Sequence, residues 1–275
     1  MTEASLEDLA SAAADGDQAA LAELLRRVQH PIYGLALRFL GTPADAEDAT
    51  QEIMIRLMTR LATFEGRSKF MTWVYAVAVR MLIRTRQRVV ETSVQGSEQF
   101  GRIIDAGLGA RDYTADEAEY RLLCDEVRVS CSYGMLLCLS RSLRAAYLLG
   151  DVLGIAGAEG AAALDISESA FRQRVSRARR ILRQVIDGRC GLIDQANTCS
   201  CGRQIEASIE GGIISVGDLP LATHPRTAPP DAIEKIAVEI DAVVAIGSLY
   251  RADQFEAPGR IWDRIQTEFP SLVGG

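Results

Sequence analysis

Hydrophobic positions recur at steps of three and four along most of the chain, which is the spacing of residues on one face of an α-helix. The clearest series is Ala46, Ala49, Ile53, Leu57 and Leu61, which places one apolar stripe toward a core. Aromatic residues make up only 6% of the sequence, and the abundance of alanine and leucine favours helices over a β-sandwich. The pattern predicts an all-α protein.

Interruptions of this periodicity divide the chain into four segments. Residues 1–90 are predicted to form one small helical domain. Residues 120–187 form a second, in which a short helix, a tight turn at 165–167 and a longer basic helix make a helix-turn-helix. Residues 91–119 carry four glycines and mostly acidic charges, which is typical of a flexible linker. Residues 188–275 form a C-terminal extension with mostly helical spacing.

The net charge of −7, taken alone, speaks against nucleic-acid binding. The cations, however, are concentrated: residues 66–88 contain six, residues 169–186 contain another six, and neither segment contains an acid. Two basic patches in an otherwise acidic chain indicate nucleic-acid binding more strongly than the total charge argues against it. The alternative interpretation is that each patch is a solvated helix face.

Two segments of the chain resemble one known family. Residues 45–53 (DAEDATQEI) and 64–75 (FEGRSKFMTWVY) resemble the promoter-melting domain of bacterial sigma factors of the extracytoplasmic-function (ECF) group, in the sigma-70 family. Residues 154–182, with Ser-Arg-Ala-Arg at 176–179, are similar to the C-terminal promoter-binding domain of that family. The resemblance implies that residues 1–90 correspond to sigma region 2 and the second domain to region 4. It implies core RNA polymerase and promoter DNA as partners, and leaves open whether an anti-sigma protein also binds.

The resemblance implies that the polar face of the helix beginning near residue 45 docks on core RNA polymerase, at the clamp-helix region of its largest subunits. Carboxylates, an amide and a guanidinium on a rigid helix suit a basic or mixed-charge helical partner. The alternative is a solvated acidic helix face. The predicted docking residues are Asp45, Asp48, Gln51, Glu52 and Arg56.

The first basic segment is implied by the resemblance to hold the −10 element open. Single-stranded DNA binding needs cations for the phosphates and flat aromatic faces for unstacked bases. Trp73 also falls on the apolar stripe, so a role in the core stays open, and Met81 stands where family members commonly carry an asparagine that reads a base. The side chains predicted to contact the −10 element are Arg67, Lys69, Trp73, Tyr75, Arg80 and Arg84.

The second basic segment is implied to read the −35 element from the major groove. Its polar residues lie away from the stripe Phe171, Val175 and Ala178. Arginine can pair with guanine and glutamine with adenine, while other arginines contact phosphates and fix the register. The side chains predicted to contact the −35 element are Ser169, Arg172, Gln173, Arg174, Ser176, Arg177 and Arg179.

Three cysteines, Cys190, Cys199 and Cys201, cluster just after the second basic helix. Three thiolates could supply most of a tetrahedral zinc site, with His224, Cys131 or Cys138 as the fourth ligand. The spacing is not a paired CxxC motif, so three reduced cysteines without metal are the alternative. Apart from this candidate zinc site, the sequence indicates no cofactor.

The C-terminal extension resembles the regulatory extensions of some sigma factors of this group. Phe255, Trp262 and Phe269 are candidate anchors of a small satellite core. From residue 187 onward thirteen acids oppose seven bases, so we expect the extension to lie against a basic helix and compete with DNA. The alternative is that the extension helps to hold the two domains in their DNA-ready arrangement. Both helical domains complete their apolar stripes before residue 188, so we expect neither core to need the extension.

Other classes of protein are not expected. No run of about 18 uninterrupted apolar residues occurs, so the sequence predicts no membrane span. Residues 1–8 are acidic, unlike a secretory signal, and we expect a cytoplasmic protein. The sequence contains no nucleophile–base–acid set and no glycine-rich phosphate loop, so we do not expect an enzyme.

Two functions compete with that of a sigma factor. One is a stand-alone helix-turn-helix regulator, metal- or redox-responsive, that binds duplex DNA without polymerase. The other is a helical interaction module whose basic helices bind an acidic partner. A simple regulator has no use for a single-strand-binding helix beside an acidic docking face, so the N-terminal domain favours the sigma factor.

Overall fold

The computed structural model describes residues 4–86, 91–92, 94, 96–108, 113, 116–224 and 242–270. The prediction of an all-α fold is confirmed for these residues, which contain helices, turns and two isolated β-bridges but no strand. The helices are α1 Leu6–Ala14, α2 Gln18–Leu40, α3 Pro43–Arg60, α4 Phe70–Arg84, α5 Ser97–Gly107, α6 Glu117–Leu137, α7 Arg141–Tyr147, α8 Gly157–Leu164, α9 Glu168–Ile186, α10 Ile205–Glu210, α11 Ala242–Ala252 and α12 Gly259–Glu268.

The chain divides into two compact units, the first of which contains Met1–Arg86, Gly154–Arg172 and Phe255–Gly275. Its core lies between α2, α3 and α4, and the predicted apolar stripe of α3 is buried along its whole length. Side chains with almost no exposed surface include Ile32, Phe39, Ile53, Val74 and Leu82. This unit carries the side chains predicted to dock on polymerase and to contact the −10 element.

The second unit contains Gln87–Leu153 and Gln173–Gln254. In this unit a buried arginine of α7 donates hydrogen bonds to carbonyl oxygens at the end of α6 and just after it. Arg144, at the end of α7, is only 1% exposed. Its guanidinium donates to a carbonyl oxygen in the last turn of α6, at 2.9 Å to Leu136, and to one in the turn that follows, at 3.0 Å to Leu139. The Glu91 carboxylate balances this charge, accepting from Arg144 Nη1 at 3.3 Å.

Part of the C-terminal extension belongs to the core of this second unit. Tyr250 of α11 is buried, and its hydroxyl donates to the Ser132 carbonyl oxygen at 2.6 Å. Asp253 forms a buried ion pair with Arg128 at 2.9 Å. The expectation that neither core needs the extension is therefore wrong for the second unit, because Tyr250 and Asp253 are buried against residues of α6.

Glu126 of α6 is a second anchor of the extension. Its carboxylate accepts from the backbone N–H groups of Leu221 and Ala222, at 3.0 and 2.6 Å. Burial raises the pKa of Glu126 to about 7, although these two hydrogen bonds act in the opposite direction.

The segment predicted as a flexible linker, residues 91–119, contains helix α5. Phe100 and Ile104 are one turn apart and buried, and the Phe100 ring lies where a Cβ atom on Gly134 would approach it to 2.7 Å. The linker prediction is therefore corrected for Ser97–Gly107, which packs against α6. Two apolar residues among acids and glycines were too weak a signal to predict a helix.

The compact units divide the chain differently from the predicted domains. Helix α8, which begins the helix-turn-helix, groups with the first unit because it packs against α4. Helix α12 also groups with the first unit, so the extension is not one module. Within the described residues, none of the helices combines the length and apolar character that a bilayer crossing requires.

Candidate partner and nucleic-acid interfaces

Helix α3 presents a polar face because its start and its apolar stripe fix its rotation. Thr42 caps the helix, Pro43 occupies its first turn, and the Thr42 hydroxyl donates to the Asp45 carboxylate at 2.9 Å. The predicted docking residues are thereby brought onto one side of one helix. Asp48, Glu52 and Arg56 are exposed, Asp45 is half-buried, and Gln51 is buried.

Gln51 is buried because helix α12 lies against this part of α3. The Gln51 side-chain amide donates to the Glu268 carboxylate at 2.6 Å. Arg264 forms an ion pair with Asp48 at 3.4 Å. Two of the five predicted docking residues therefore contact the C-terminal extension.

Glu47 is a further acidic residue of this face that the sequence analysis missed. Its carboxylate forms a bidentate ion pair with the Arg260 guanidinium. Burial, with a contribution from the Glu47 charge, raises the pKa of the neighbouring Tyr33 hydroxyl to about 12. Glu47 lies one turn before Gln51, so helical spacing could have placed it on the docking face.

The loop before α4 and the first turns of that helix carry three of the side chains assigned to the −10 element. Arg67 and Lys69 are exposed, and Arg67 pairs with Glu65 at 2.5 Å. Trp73 is half-buried in an aromatic cluster, with ring centroids 5.7 Å from Phe64 and 5.6 Å from Phe70. Trp73 therefore packs against other aromatic side chains, which is the core role that the sequence left open.

Further along α4, the side chains assigned to the −10 element differ in what they contact. The Arg80 guanidinium donates to the backbone carbonyls of Ala162 and Ala163, at 2.7 and 2.8 Å. These carbonyls end helix α8, where the helix dipole favours a cation. Arg84 is exposed, and burial raises the pKa of the half-buried Tyr75. Residues 87–90, at the end of the predicted first domain, lie outside the described residues.

Thr72 gives α4 a second polar contact with α8. Its hydroxyl donates to the Glu159 carboxylate at 2.9 Å. In this arrangement α8 covers part of the α4 surface that is assigned to the −10 element.

The helix-turn-helix forms at the residues where the sequence predicts it. Asp165 adopts a left-handed conformation with φ of 55° and ends α8, and the Ser167 hydroxyl accepts from the backbone N–H of Ala170 at 3.2 Å. Gly160 is required at the crossing, because a Cβ atom there would lie 2.4 Å from the Phe171 ring.

Helix α9 buries its apolar stripe and exposes its polar residues, as predicted. Phe171, Val175, Ala178, Leu182 and Val185 are all buried. Of the side chains assigned to the −35 element, six are exposed, namely Ser169, Arg172, Gln173, Ser176, Arg177 and Arg179, and Arg174 is half-buried.

Two of the arginines assigned to the −35 element are held by acids. Arg172 pairs with Glu168 one turn earlier at 2.5 Å, and Arg179 donates to Asp151 at 2.7 Å. The hydrogen bond to Asp151 raises the pKa of Arg179. An acid paired with each guanidinium lowers the positive charge that these two positions present to DNA.

The predicted zinc cysteines converge on one cavity of about 50 Å³ within the second unit. Cys190, Cys199 and Cys201 line it together with Cys131, and burial raises the pKa of all four thiols. Zinc binds the thiolate form, whereas burial here favours the neutral thiol. Among the residues that the structure describes, no group of three or more histidine, cysteine or acidic side chains is arranged to hold a metal ion.

Comparisons with known proteins show which proteins the chain is similar to. A family model described as Sigma-70 region 2 matches residues 24–89. The chain is 26% identical over 171 residues to the RNA polymerase sigma-H factor of Pseudomonas aeruginosa, covering 61% of this chain and 86% of that protein. It is 29% identical over 171 residues to the ECF RNA polymerase sigma-E factor of Escherichia coli, with the same two coverages, 61% and 86%. Residues 24–89 are therefore similar to sigma-70 region 2, and the chain as a whole is similar to sigma factors of that family.

These relatives support a function in transcription initiation, and one of them is named an ECF sigma factor. The RNA polymerase sigma factor CnrH of Cupriavidus metallidurans is 29% identical over 185 residues, covering 65% of this chain and 93% of CnrH. A solved structure described as "Structure of CnrH in complex with the cytosolic domain of CnrY" is 22% identical with a TM-score of 0.45, covering 65% of this chain and 95% of that one. The region 2 match contains every side chain that is predicted to dock on polymerase or to contact the −10 element, whereas those assigned to the −35 element lie beyond it.

Proposed function

We propose that this chain is a sigma factor that binds core RNA polymerase through the polar face of α3 and directs initiation at promoters with −10 and −35 elements. The observation that carries the proposal is the position of this face within the region 2 match. Asp48, Glu52 and Arg56 project from it as exposed, mixed charges on a helix whose opposite side is locked into the core. Such a surface suits a helical partner of complementary charge.

The exposed cations near the start of α4 are assigned to the single-stranded −10 element. Arg67 and Lys69 flank an aromatic cluster, so phosphate-binding cations and a stacking surface lie side by side. Because Arg80 is engaged by α8, contact between Arg80 and DNA requires that α8 leave α4.

The exposed face of α9 is assigned to the −35 element. Arg172, Gln173, Ser176 and Arg177 form a polar surface opposite a fully buried stripe, as expected for a helix that enters the major groove. The region 2 match favours this function over that of a stand-alone regulator, which has no use for that domain.

A charge-exchange variant tests docking without altering the net charge. Glu52→Lys with Arg56→Glu reverses two exposed charges on α3 that lie outside the contacts described with α12. We expect this variant to bind core RNA polymerase at least about tenfold more weakly, since adverse charges across an interface cost several kcal/mol. The measurement is the equilibrium dissociation constant of the labelled chain from core polymerase without DNA.

The matched control is Glu98→Lys with Arg102→Glu, which exchanges an exposed ion pair on α5. It should bind polymerase as the unmodified chain does, because it lies outside the proposed interface. Equal affinity of the α3 variant and this control would remove the α3 face from the docking site.

A further inference from the structure

The docking face of α3 is already occupied by a helix of the same chain. Helix α12 places Arg260 and Arg264, one turn apart, against Glu47 and Asp48 of α3. Glu268, at the end of α12, accepts from the amide of Gln51. Three polar contacts thus connect two turns of α12 with about one turn of the α3 surface assigned to polymerase.

Apolar packing holds α12 in place beside these polar contacts. Ile261 and Ile265 lie one turn apart on the inner side of α12 and are 2% and 0% exposed. Trp262 packs against α2, with the Arg26 guanidinium 5.1 Å from its ring centroid. Surface ion pairs contribute little by themselves, so the buried isoleucines supply most of the affinity and the arginines supply the register.

The segment before α12 fixes where the helix starts. Phe255 is buried, and the backbone N–H of Ala257 donates to His30 Nδ1 of α2 at 3.0 Å. Pro258 occupies the N-cap position of α12, and the helix packs against α3. The net charge of the extension predicts that it lies against a basic helix, but the structure brings a locally basic helix face onto an acidic one.

We propose that α12 is an autoinhibitory element that occupies the polymerase-docking face of α3 and must be displaced before core RNA polymerase binds. The inference rests on the proposed function of that face. The chemistry of α12 is that required of the partner: a helix that presents spaced arginines to the carboxylates of α3. The two ligands compete for the same side chains, so only one can be bound at a time.

Competition has a quantitative consequence for affinity. When only a fraction of molecules has α3 uncovered, the apparent dissociation constant is the intrinsic constant divided by that fraction. If α12 is docked in about nine molecules of ten, releasing it strengthens polymerase binding about tenfold.

The test uses full-length chains in which α12 is loosened from outside the α3 surface. Arg260→Glu with Arg264→Glu places like charges opposite Glu47 and Asp48, and Trp262→Ala loosens the same helix without a charge change. Both should bind core RNA polymerase about tenfold more tightly than the unmodified chain. The control, Arg102→Glu with Arg121→Glu, makes the same charge change at two exposed arginines of other helices and should bind like the unmodified chain.

Hydrogen exchange supplies a second readout on the unmodified chain. Its α12 amides should exchange faster when saturating core polymerase is added, because the helix loses its docking site. Unchanged or slower exchange of α12 in the complex would overturn the proposal.

The outcomes separate this inference from the function on which it rests. Equal affinities of the unmodified chain and both variants would overturn autoinhibition and leave polymerase docking intact. Weaker binding of both variants would place α12 in the polymerase interface, which also overturns it. No binding by any chain would contradict the proposed function, and autoinhibition with it.

Discussion

The buried charge cluster around Glu91 offers the sharpest test of the second unit. Glu91 is 4% exposed, and its carboxylate accepts from Arg141 Nε at 3.0 Å and Arg144 Nη1 at 3.3 Å. Replacement by alanine deprives two largely buried guanidinium groups of this shared carboxylate. Burial already lowers the pKa of Arg144 to about 10, so its charge lies in a poorly solvated environment.

The magnitude follows from what each arginine keeps. Arg144 retains its backbone carbonyl acceptors in the α6–α7 turn, whereas Arg141 loses both of its hydrogen bonds to Glu91. Removing one partner of a buried ion pair costs about 3–5 kcal/mol. Because Arg144 keeps these acceptors, we expect Glu91→Ala to lower the free energy of unfolding by about 3 kcal/mol, at the lower end of that range.

Urea unfolding followed by far-ultraviolet circular dichroism measures this difference. The control is Glu98→Ala, which removes the carboxylate of an exposed ion pair with Arg102 and should change stability by no more than about 0.5 kcal/mol. A loss for Glu91→Ala no larger than that of the control would refute the argument that Glu91 is an essential buried counter-charge.

Three further outcomes are expected. The raised pKa of Glu126 means that the free energy of unfolding falls by roughly 3 kcal/mol between pH 4.5 and about 7, since the unfolded chain releases this proton first. Glu126→Gln should remove that part of the pH dependence in urea unfolding, and an unaltered profile would contradict the assignment. Arg172→Ala should cost about 1–3 kcal/mol on the best −35 sequence and relax preference at one or two base positions. Arg183, in the last turn of α9, is expected to contact a phosphate, so Arg183→Ala should weaken binding to all sequences and lower the salt slope by about one. Fluorescence anisotropy with duplexes of varied sequence measures both effects. If Arg172→Ala weakened binding to every sequence equally, Arg172 would be a phosphate contact and not a base contact. Arg80→Ala should lower the free energy of unfolding by about 1–3 kcal/mol through loss of two charged hydrogen bonds to α8, and unchanged urea unfolding would show that they contribute nothing.

Local patterns predicted the elements that carry the proposed contacts. The stripes of α3 and α9 are read from steps of three and four, and the structure buries both. The turn at Asp165 and the cap at Ser167 follow from residue types that favour those conformations. Helical rotation then determines which polar residues can face a partner, so the exposure of Arg172 and Glu52 was also predictable.

Contacts between distant parts of the chain were not predictable in this way. Arg260 meets Glu47 across 213 positions, and Gln51 meets Glu268 across 217, so no periodicity connects them. The acceptors of Arg80 are backbone carbonyls, and because every residue has one, the sequence does not show which carbonyl will accept. The net charge of the extension also gave a wrong prediction of its partner. An average over the whole extension hides the two arginines of α12 that pair with the α3 carboxylates.

The proposed function is that this chain is a sigma factor and directs initiation by core RNA polymerase. The most direct measurement adds the purified chain to cognate core polymerase on a randomised DNA template library and sequences the transcript starts. The account predicts chain-dependent transcripts whose starts are preceded by shared elements near −10 and −35, with a higher yield for Arg260→Glu with Arg264→Glu. The absence of chain-dependent transcripts with both the unmodified chain and this variant would contradict it.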